Sequence, residues 1–522
     1  MSKLKYFTFF IVSVLFGELS IAQIGVYNFE QNDCRVRFLS NGFMAFNPQL
    51  SAPNYEVPKG GGNHTIFAFS PLWVGEVDDT LVGAAAVYEA GNAFPGPISD
   101  NYTSGWHQTR RTVFWVFKSQ IDYHQQNWND PNYTPPMTIL DWPAMGNPAE
   151  NTSQYNAPFV DFSGTGEYNP DLGDYPKIEG DKAVFSIYNY DQNPVDNDLN
   201  NTEFPLEVQV MAYQFNSSDE RLDQTTFVNY RVKNRSNSTI KNFKWGAFTD
   251  IDIGFSFDDY FGSDSSRNLI YGYNGTDFDP GAAGSPGYGQ NPPAQGVVLL
   301  NRDLLSVNKL TYSGTHDLNN LNNLNNLMLG NNSVGDVNTN SSGQPTKFLF
   351  KEPPYVNGSE SMHQLGLEED VQRNIISAKP VDLEPGEVEC YHYALVYGRN
   401  FTDYILSVEE VINNVDFIQN YYDLNIDLPC DYYNGAMSTN AFEKDNTVDI
   451  FPNPTNNQVM IESEEKINHI KVYTTDGRLV REQDFEGANS MSFDTSSFKS
   501  GIYIFDVNFN NGNNIHKRIV KN

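Results

Sequence analysis

Read for polarity alone, much of the chain alternates. Apolar residues recur at every second position in "PLEVQVMAYQF" (205–215), "TTFVNYRVKN" (225–234) and "ECYHYALVYGR" (389–399), the period that sends successive side chains to opposite faces of a strand. These segments predict antiparallel sheets with one buried and one solvated face. "CRVRFLSNGFMAFNP" (34–48) predicts a hairpin turning at Asn41-Gly42, and "RRTVFWVFKSQI" (110–121) a strongly apolar strand. One segment has helical spacing: Val408, Val411, Ile412, Val415 and Ile418 share a stripe behind Ser407 and Glu410, which are spaced as a capping box. It predicts a packing helix. Between 313 and 345 an Asn-rich stretch places Leu318, Leu321, Leu324 and Leu327 every three residues, matching neither a strand nor a sustained helical face. The expectation there is a surface insertion, partly ordered at best; a single β-solenoid turn is the alternative, with too few repeats to bury its own leucines.

The pattern therefore predicts a mainly β protein, with a multi-strand sandwich-type body over 23–440 and a smaller β-sandwich over 445–522. Composition agrees: of 522 residues 14% are aromatic and only 19% charged, while 39 Gly and 28 Pro punctuate the chain. The formal charge of -32 argues against nucleic acid or an anionic membrane as partner, because phosphates would be repelled. Cations are the natural partners. At the amino end Lys3 and Lys5 precede "YFTFFIVSVLFG" and then "SIA", the layout of a secretory signal peptide over 1–22 with cleavage after Ala22. No other apolar run approaches the roughly 20 residues of a membrane span, so the exported chain is expected to lack a transmembrane segment. Cys34, Cys390 and Cys430 allow one disulfide and a spare thiol without choosing the pair.

Past residue 444 short strands follow closely, with Asp476-Gly477 and Asn511-Gly512 marking two hairpins. About 75 residues of this kind suggest a small Ig-like sandwich. "FPNPTNN" (451–457), "IKVYTTDGRLV" (470–480), "FKSGIYIFDV" (498–507) and the basic ending "HKRIVKN" resemble the C-terminal sorting domain, type A, of the type IX secretion system of Bacteroidota. The resemblance rests on Pro452, Asn453, Pro454, Gly501, Tyr503, Lys517 and Lys521. It implies recognition by outer-membrane secretion machinery, removal of the module, and a cargo either released or linked to anionic lipopolysaccharide. A generic adhesive Ig-like domain is the alternative. The body is similar to a family of large secreted proteins of the same bacteria, through "YEVPKGGGNHTIFAFSPLWVGEVDD" (55–79), "APFVDFSGTGEYNPDLGDYPKIEGDKAVF" (157–185) and "FTDIDIGFSFDDYFGSDSSRNLIYGYNG" (248–275). That likeness implies an extracellular cargo and supplies no chemistry.

Two acidic stretches carry the candidate chemistry. In "DFSGTGEYNPDLGDYP" (161–176), Asp161, Ser163 and Thr165 stand at alternate positions before Gly166, the opening spacing of a calcium loop with two positions changed to hydroxyls. Leu172 occupies the twelfth position, so this is no EF-hand; Glu167, Asp171 and Asp174 would complete the shell. The competing reading is a Gly/Pro-rich turn whose Asp and Ser cap their own backbone. The second stretch offers Asp250, Asp252, Asp258, Asp259 and Asp264 with Arg267 as the close basic residue. Like charges so near one another repel unless a cation compensates. Calcium at one or both loops is the expected cofactor, and a solvated acidic loop the alternative.

No G-x-S-x-G, H-E-x-x-H or phosphate loop is present, and the eight histidines are scattered, His64 and His107 included. A carbohydrate-active hydrolase built on two carboxylates stays as an alternative. So does a glycan-binding module: Trp106 and Trp128 lie in turn-rich stretches and are the candidate stacking surfaces. The expectation is an uncatalytic, secreted or outer-membrane surface protein.

Overall fold

The computed structural model describes residues 24–522 apart from 86, 89–92, 193–201, 283–284, 311–317, 319, 429, 431–447, 454, 475–477, 500, 510–513 and 522. The expected leader and the expected boundary near 444 lie outside the described residues. Two compact units divide the chain, Met1–Ala436 and Met437–Asn522.

In chain order the main strands of the first unit are β1 (Ala68–Val77), β2 (Thr80–Ala85), β3 (Phe114–Phe117), β4 (Lys182–Asn189), β5 (Leu206–Gln214), β6 (Thr225–Asn234) and β7 (Ile240–Asp250). They continue as β8 (Asp259–Asp264), β9 (Leu269–Asn274), β10 (Ala294–Leu299), β11 (Leu304–Lys309), β12 (Arg373–Ala378) and β13 (Val388–Gly398). The larger antiparallel sheet has the order β3-β4-β5-β6-β13-β10-β9-β8, and the smaller β11-β12-β7-β1-β2. Aromatic side chains lock the two face to face. Phe69 of β1 meets Tyr393 of β13 at 5.6 Å, and Trp245 of β7 stacks on Tyr391 at 5.6 Å and leans on Tyr230 of β6 at 5.4 Å. All of these rings are buried, each contributing about 2–3 kcal/mol by burial alone. The sandwich-type, mainly β body stands as predicted.

The predicted solvated face does not. Strands β5, β6 and β13 keep their alternation, yet their polar set is also buried. The reason is a cover of chain that the strands cannot announce: the stretch before β4, and α3 (Ser407–Asn425) after β13. The charged groups under that cover find partners, as burial demands. Glu207 accepts from the Ile98 amide at 2.9 Å and pairs with Arg235 at 3.2 Å; Arg231 donates to Gln209 at 3.0 Å and to the Cys430 carbonyl at 2.9 Å. Lys182 is held among the rings of Tyr27, Phe29, Trp115 and Phe117 at 4.6 to 5.9 Å, a cation–π enclosure. Cys390 is bonded to Cys430, leaving Cys34 as a buried thiol whose pKa is pushed up to about 12 by burial.

Three local expectations are corrected. "RRTVFWVFKSQI" is strand only over Phe114–Phe117, because Gln120 accepts from the Phe117 amide at 3.1 Å and starts helix α1 (Lys118–Asn127). The Leu-Asn-Asn repeat forms helix α2 (Leu321–Met328), capped by Asn320, whose side chain accepts from the Asn323 amide at 2.9 Å. A three-residue period drifts only about 60° per step around a helix, so over two turns the leucines still form one stripe. Leu318, Leu324, Leu327 and Met328 pack on Leu72, Val74, Phe248 and Ile375. The α3 stripe is buried as predicted, but Ser407 is no cap: its hydroxyl accepts from the Asn400 amide and donates to the Pro292 carbonyl, both at 3.0 Å. A Cβ on Gly398 would lie 2.6 Å from the Val411 nitrogen, so glycine is what lets α3 approach the sheet.

The second unit comprises β14 (Val448–Phe451), β15 (Gln458–Thr474), β16 (Leu479–Asp494), β17 (Gly501–Phe509) and β18 (Asn514–Lys521). Its sheet runs β14-β15-β17-β18, with β16 also on β15. Five strands suffice, because β15 and β16 are 17 and 16 residues long and shift register midway. Val459, Ile461, Ile470, Phe493, Phe505 and Val507 fill the interior. Asp476-Gly477 and Asn511-Gly512 lie outside the described residues, but the strands flanking both are paired antiparallel, Tyr473 opposite Leu479 and Asn508 opposite Asn514.

Candidate metal centres

Loop 161–174 is bracketed by the paired two-residue strands Phe159–Val160 and Tyr175–Pro176. Gly164 and Gly166 adopt φ of 69° and 76°, a conformation open to glycine that lets successive groups turn inward. Asp161 Oδ1 accepts from the Thr165 amide at 3.1 Å and Oδ2 from the Gly166 amide at 2.8 Å; Asp174 accepts from the amides of Ser163 and Asn169, both at 2.8 Å. Around Ser163 Oγ stand Asp161 Oδ1 at 3.1 Å, Thr165 Oγ1 at 2.9 Å and Asp174 Oδ2 at 3.2 Å, and Thr165 Oγ1 reaches the Glu167 carbonyl at 3.2 Å. Glu167 thus joins through its backbone. Its carboxylate and Asp171 are exposed. Burial raises the Asp174 pKa, against its amide hydrogen bonds.

The second cluster is divided by the fold. Asp264 closes the far end of β8 and pairs with Arg267 at 2.7 Å, which also grips Asp416 at 2.7 Å. Asp250, Asp252, Asp258 and Asp259 sit together where β7 ends and β8 begins. Their nearby cation is Arg373 of β12, 3.7 Å from Asp250, and not Arg267; the Tyr88 hydroxyl donates to the same carboxylate. Asp259 is fully buried and accepts from the Ile253 amide at 2.9 Å. Asp279 joins them from the hairpin beyond β9, but the amides of Phe255, Gly281 and Tyr288 already occupy both its oxygens. The Oδ1 atoms of Asp250, Asp252, Asp258 and Asp259 are buried without a hydrogen-bond partner. Burial, then the neighbouring carboxylates, raises the pKa of Asp252 and Asp259 far above the carboxylate range and that of Asp258 to about 7. Asp250 reaches about 6, held down by Tyr88 and Arg373.

Sequence reasoning missed Tyr88, Arg373 and Asp279. Among the described residues no three His, Cys, Asp or Glu side chains are gathered as a metal would gather them. Any ion would therefore be held by mixed oxygens, which calcium accepts.

Trp128 packs edge-on against Phe162 at 5.6 Å, and Trp106 carries the Arg110 guanidinium 5.1 Å above its ring. His107 is buried with Nε2 on the Pro97 carbonyl at 3.1 Å, a structural role.

In the second unit, Asn453 Oδ1 accepts from the Val520 amide at 2.8 Å and Gly501 stands opposite Lys521. Tyr503 donates to the Lys499 carbonyl at 2.9 Å, and Lys517 faces Phe505 across β17 and β18. Pro452 follows a cis bond; Pro454 lies outside the described residues. The motif thus ties the entry of the unit to its last strand.

The second unit, a five-strand sheet closed by its last strand, is the part of the chain that matches a known family. Residues 449–522 match the family described as "Secretion system C-terminal sorting domain", so the chain carries a type IX sorting domain and is directed to the cell surface or beyond. No curated protein matches the chain. Among solved structures it is similar to a polysaccharide lyase, at 10% identity and TM-score 0.19 over 67% of this chain and 37% of that one. It is also similar to a putative aldose 1-epimerase of Escherichia coli K12, at 11% identity and TM-score 0.25 over 72% of this chain and all of that one. The chain spans little more than a third of the lyase, and neither likeness bears on its chemistry. No helix among the described residues is long and apolar enough to cross a membrane.

Proposed function

We propose that the protein is a calcium-stabilised cargo of the type IX system, working outside the cell as a scaffold or binding protein. The leader over 1–22 takes it through the inner membrane. The terminal unit is then read by the outer-membrane machinery and removed, leaving the body released or linked to anionic lipopolysaccharide. What supports calcium above all is the set of four buried, unpartnered aspartate oxygens between β7 and β8. Buried carboxylates without compensation are costly by several kcal/mol, and one Arg373 serves one of them. Asp252 and Asp259, with backbone and water oxygens completing the shell, would hold the ion there. Asp161, Ser163, Thr165, Asp174 and the Glu167 carbonyl would hold a second, since three oxygens surround the single hydroxyl proton of Ser163. Bound calcium at about 100 times its Kd would add about 2.7 kcal/mol. Thermal melting with millimolar calcium and with chelator tests this: the midpoint should fall by about 5 °C on chelation, and an unchanged midpoint removes the proposal.

A further inference from the structure

At the start of β3 lies a cavity of about 490 Å³ lined by Thr109, Arg110, Thr112, Phe114, Trp115 and Asp141, among others. Its size is that of a small-molecule site. The tract "TRRTV" is cationic in a chain of net charge -32, yet among the described residues Arg110 makes no direct ion pair, and Asp141 acts on it only through its charge. Arg110 Nε is buried without a hydrogen-bond partner, and Nη1 reaches only the neighbouring Thr109 hydroxyl at 3.2 Å. Trp106 lies under the guanidinium and fixes its plane. A desolvated, immobilised arginine fork with a free edge is suited to a planar anion, which it grips with two parallel hydrogen bonds. The rest of the lining narrows the anion. The half-buried ring of Phe114 offers an apolar wall, Thr112 is an exposed hydroxyl, and exposed Asp141 can accept from hydroxyls while repelling a multiply charged group.

We infer that this cavity binds a monoanionic sugar residue bearing a carboxylate: the carboxylate on Arg110, the ring face on Phe114, the hydroxyls on Asp141 and Thr112. The inference rests on the body working outside the cell but not on calcium, and it deepens the binding role proposed above. Arg110 and Asp141 are binding residues, and Trp106 a positioning residue for Arg110.

The test is isothermal titration of the purified full chain, in calcium buffer, with galacturonate, its neutral counterpart galactose, a monosulfated sugar and an acidic tripeptide. The uronate should bind and the other three at least ~10-fold more weakly; Arg110→Gln should lose ~10- to 100-fold, the range of a charge-assisted pair. Trp106→Ala should lose affinity less, with Arg110→Lys failing to restore what Arg110→Gln loses. Asp141→Asn, at an exposed position, guards against a misfolded arginine variant and should lose ~3- to 10-fold for the uronate. Silence of the wild-type chain, equal affinity for the neutral sugar, sulfate or peptide, or indifference to both Arg110→Gln and Asp141→Asn overturns the inference. Because the titration uses isolated protein, its failure leaves the export reading standing, and failure of export leaves a positive titration standing.

Discussion

The two acidic loops of the body contain the same kinds of residue and solve the same electrostatic problem in opposite ways. Loop 161–174 is closed on itself: its buried carboxylates accept from four of its own amides. The cluster between β7 and β8 is assembled from strand ends, and four of its buried carboxylate oxygens accept nothing. The first loop therefore folds without help and an ion would only add to it. In the second, the proposed ion would substitute for hydrogen bonds that the fold does not make. Acidic composition predicts neither outcome; what decides is whether amides or other carboxylates face the charge.

The largest expected effect tests the self-sufficiency of the first loop. Asp161→Ala leaves the amides of Thr165 and Gly166 without acceptors and should destabilise the body by about 3 kcal/mol, at roughly 1–3 kcal/mol per stranded donor. Denaturant unfolding should show that loss in chelator, with calcium adding to it because Asp161 is also a proposed ligand. A loss seen only in calcium would erase the distinction between the loops.

Asp259→Asn should do something the first loop cannot, which is to change sign with the medium. In chelator it removes a buried charge facing Asp252 and Asp258 and should stabilise by about 1–3 kcal/mol; in calcium it removes a ligand and should destabilise by a similar amount. Matched melting curves in the two buffers check both halves.

A pH titration locates a third buried group that belongs to neither loop. His392, on β13 beneath α3, touches the Tyr422 hydroxyl, and burial pushes its pKa down to about 4. The unfolded chain takes up a proton near pH 6.5 that the folded one refuses until about pH 4, so stability should fall as pH drops through that window. The loss is bounded by about 3 kcal/mol. His392→Gln should flatten the acid limb while leaving the calcium response intact. Least of all should follow from Asp171→Asn: the exposed carboxylate stands apart from the ring of oxygens, and the change should stay within about 0.5 kcal/mol in either buffer.

How much of this was readable in the chain follows from distance along it. The first loop was legible because every group that holds it lies between Asp161 and Asp174, so spacing and glycine position carry its geometry. The sorting domain was legible for the same reason, hairpin by hairpin. The second cluster was half legible: its aspartates were named, but Arg373 and Asp279 arrive from other strands, and Asp264 leaves because β8 carries it to the opposite end. The strands were read correctly and their exposure was not, since alternation in β5 and β6 reports two chemically different faces and says nothing about what α3 later covers. The Leu-Asn-Asn helix escaped because its period suits a helix only over a short run, and the Asn320 cap that starts it looks like its neighbours.

The central claim is that a cation completes the β7–β8 cluster, and a crystal structure grown with calcium tests it most directly. The account predicts an ion bound by Asp252 and Asp259 together with backbone and water oxygens, at distances of roughly 2.3–2.6 Å. Carboxylates hydrogen-bonded to one another through shared protons, with no ion among them, would contradict it.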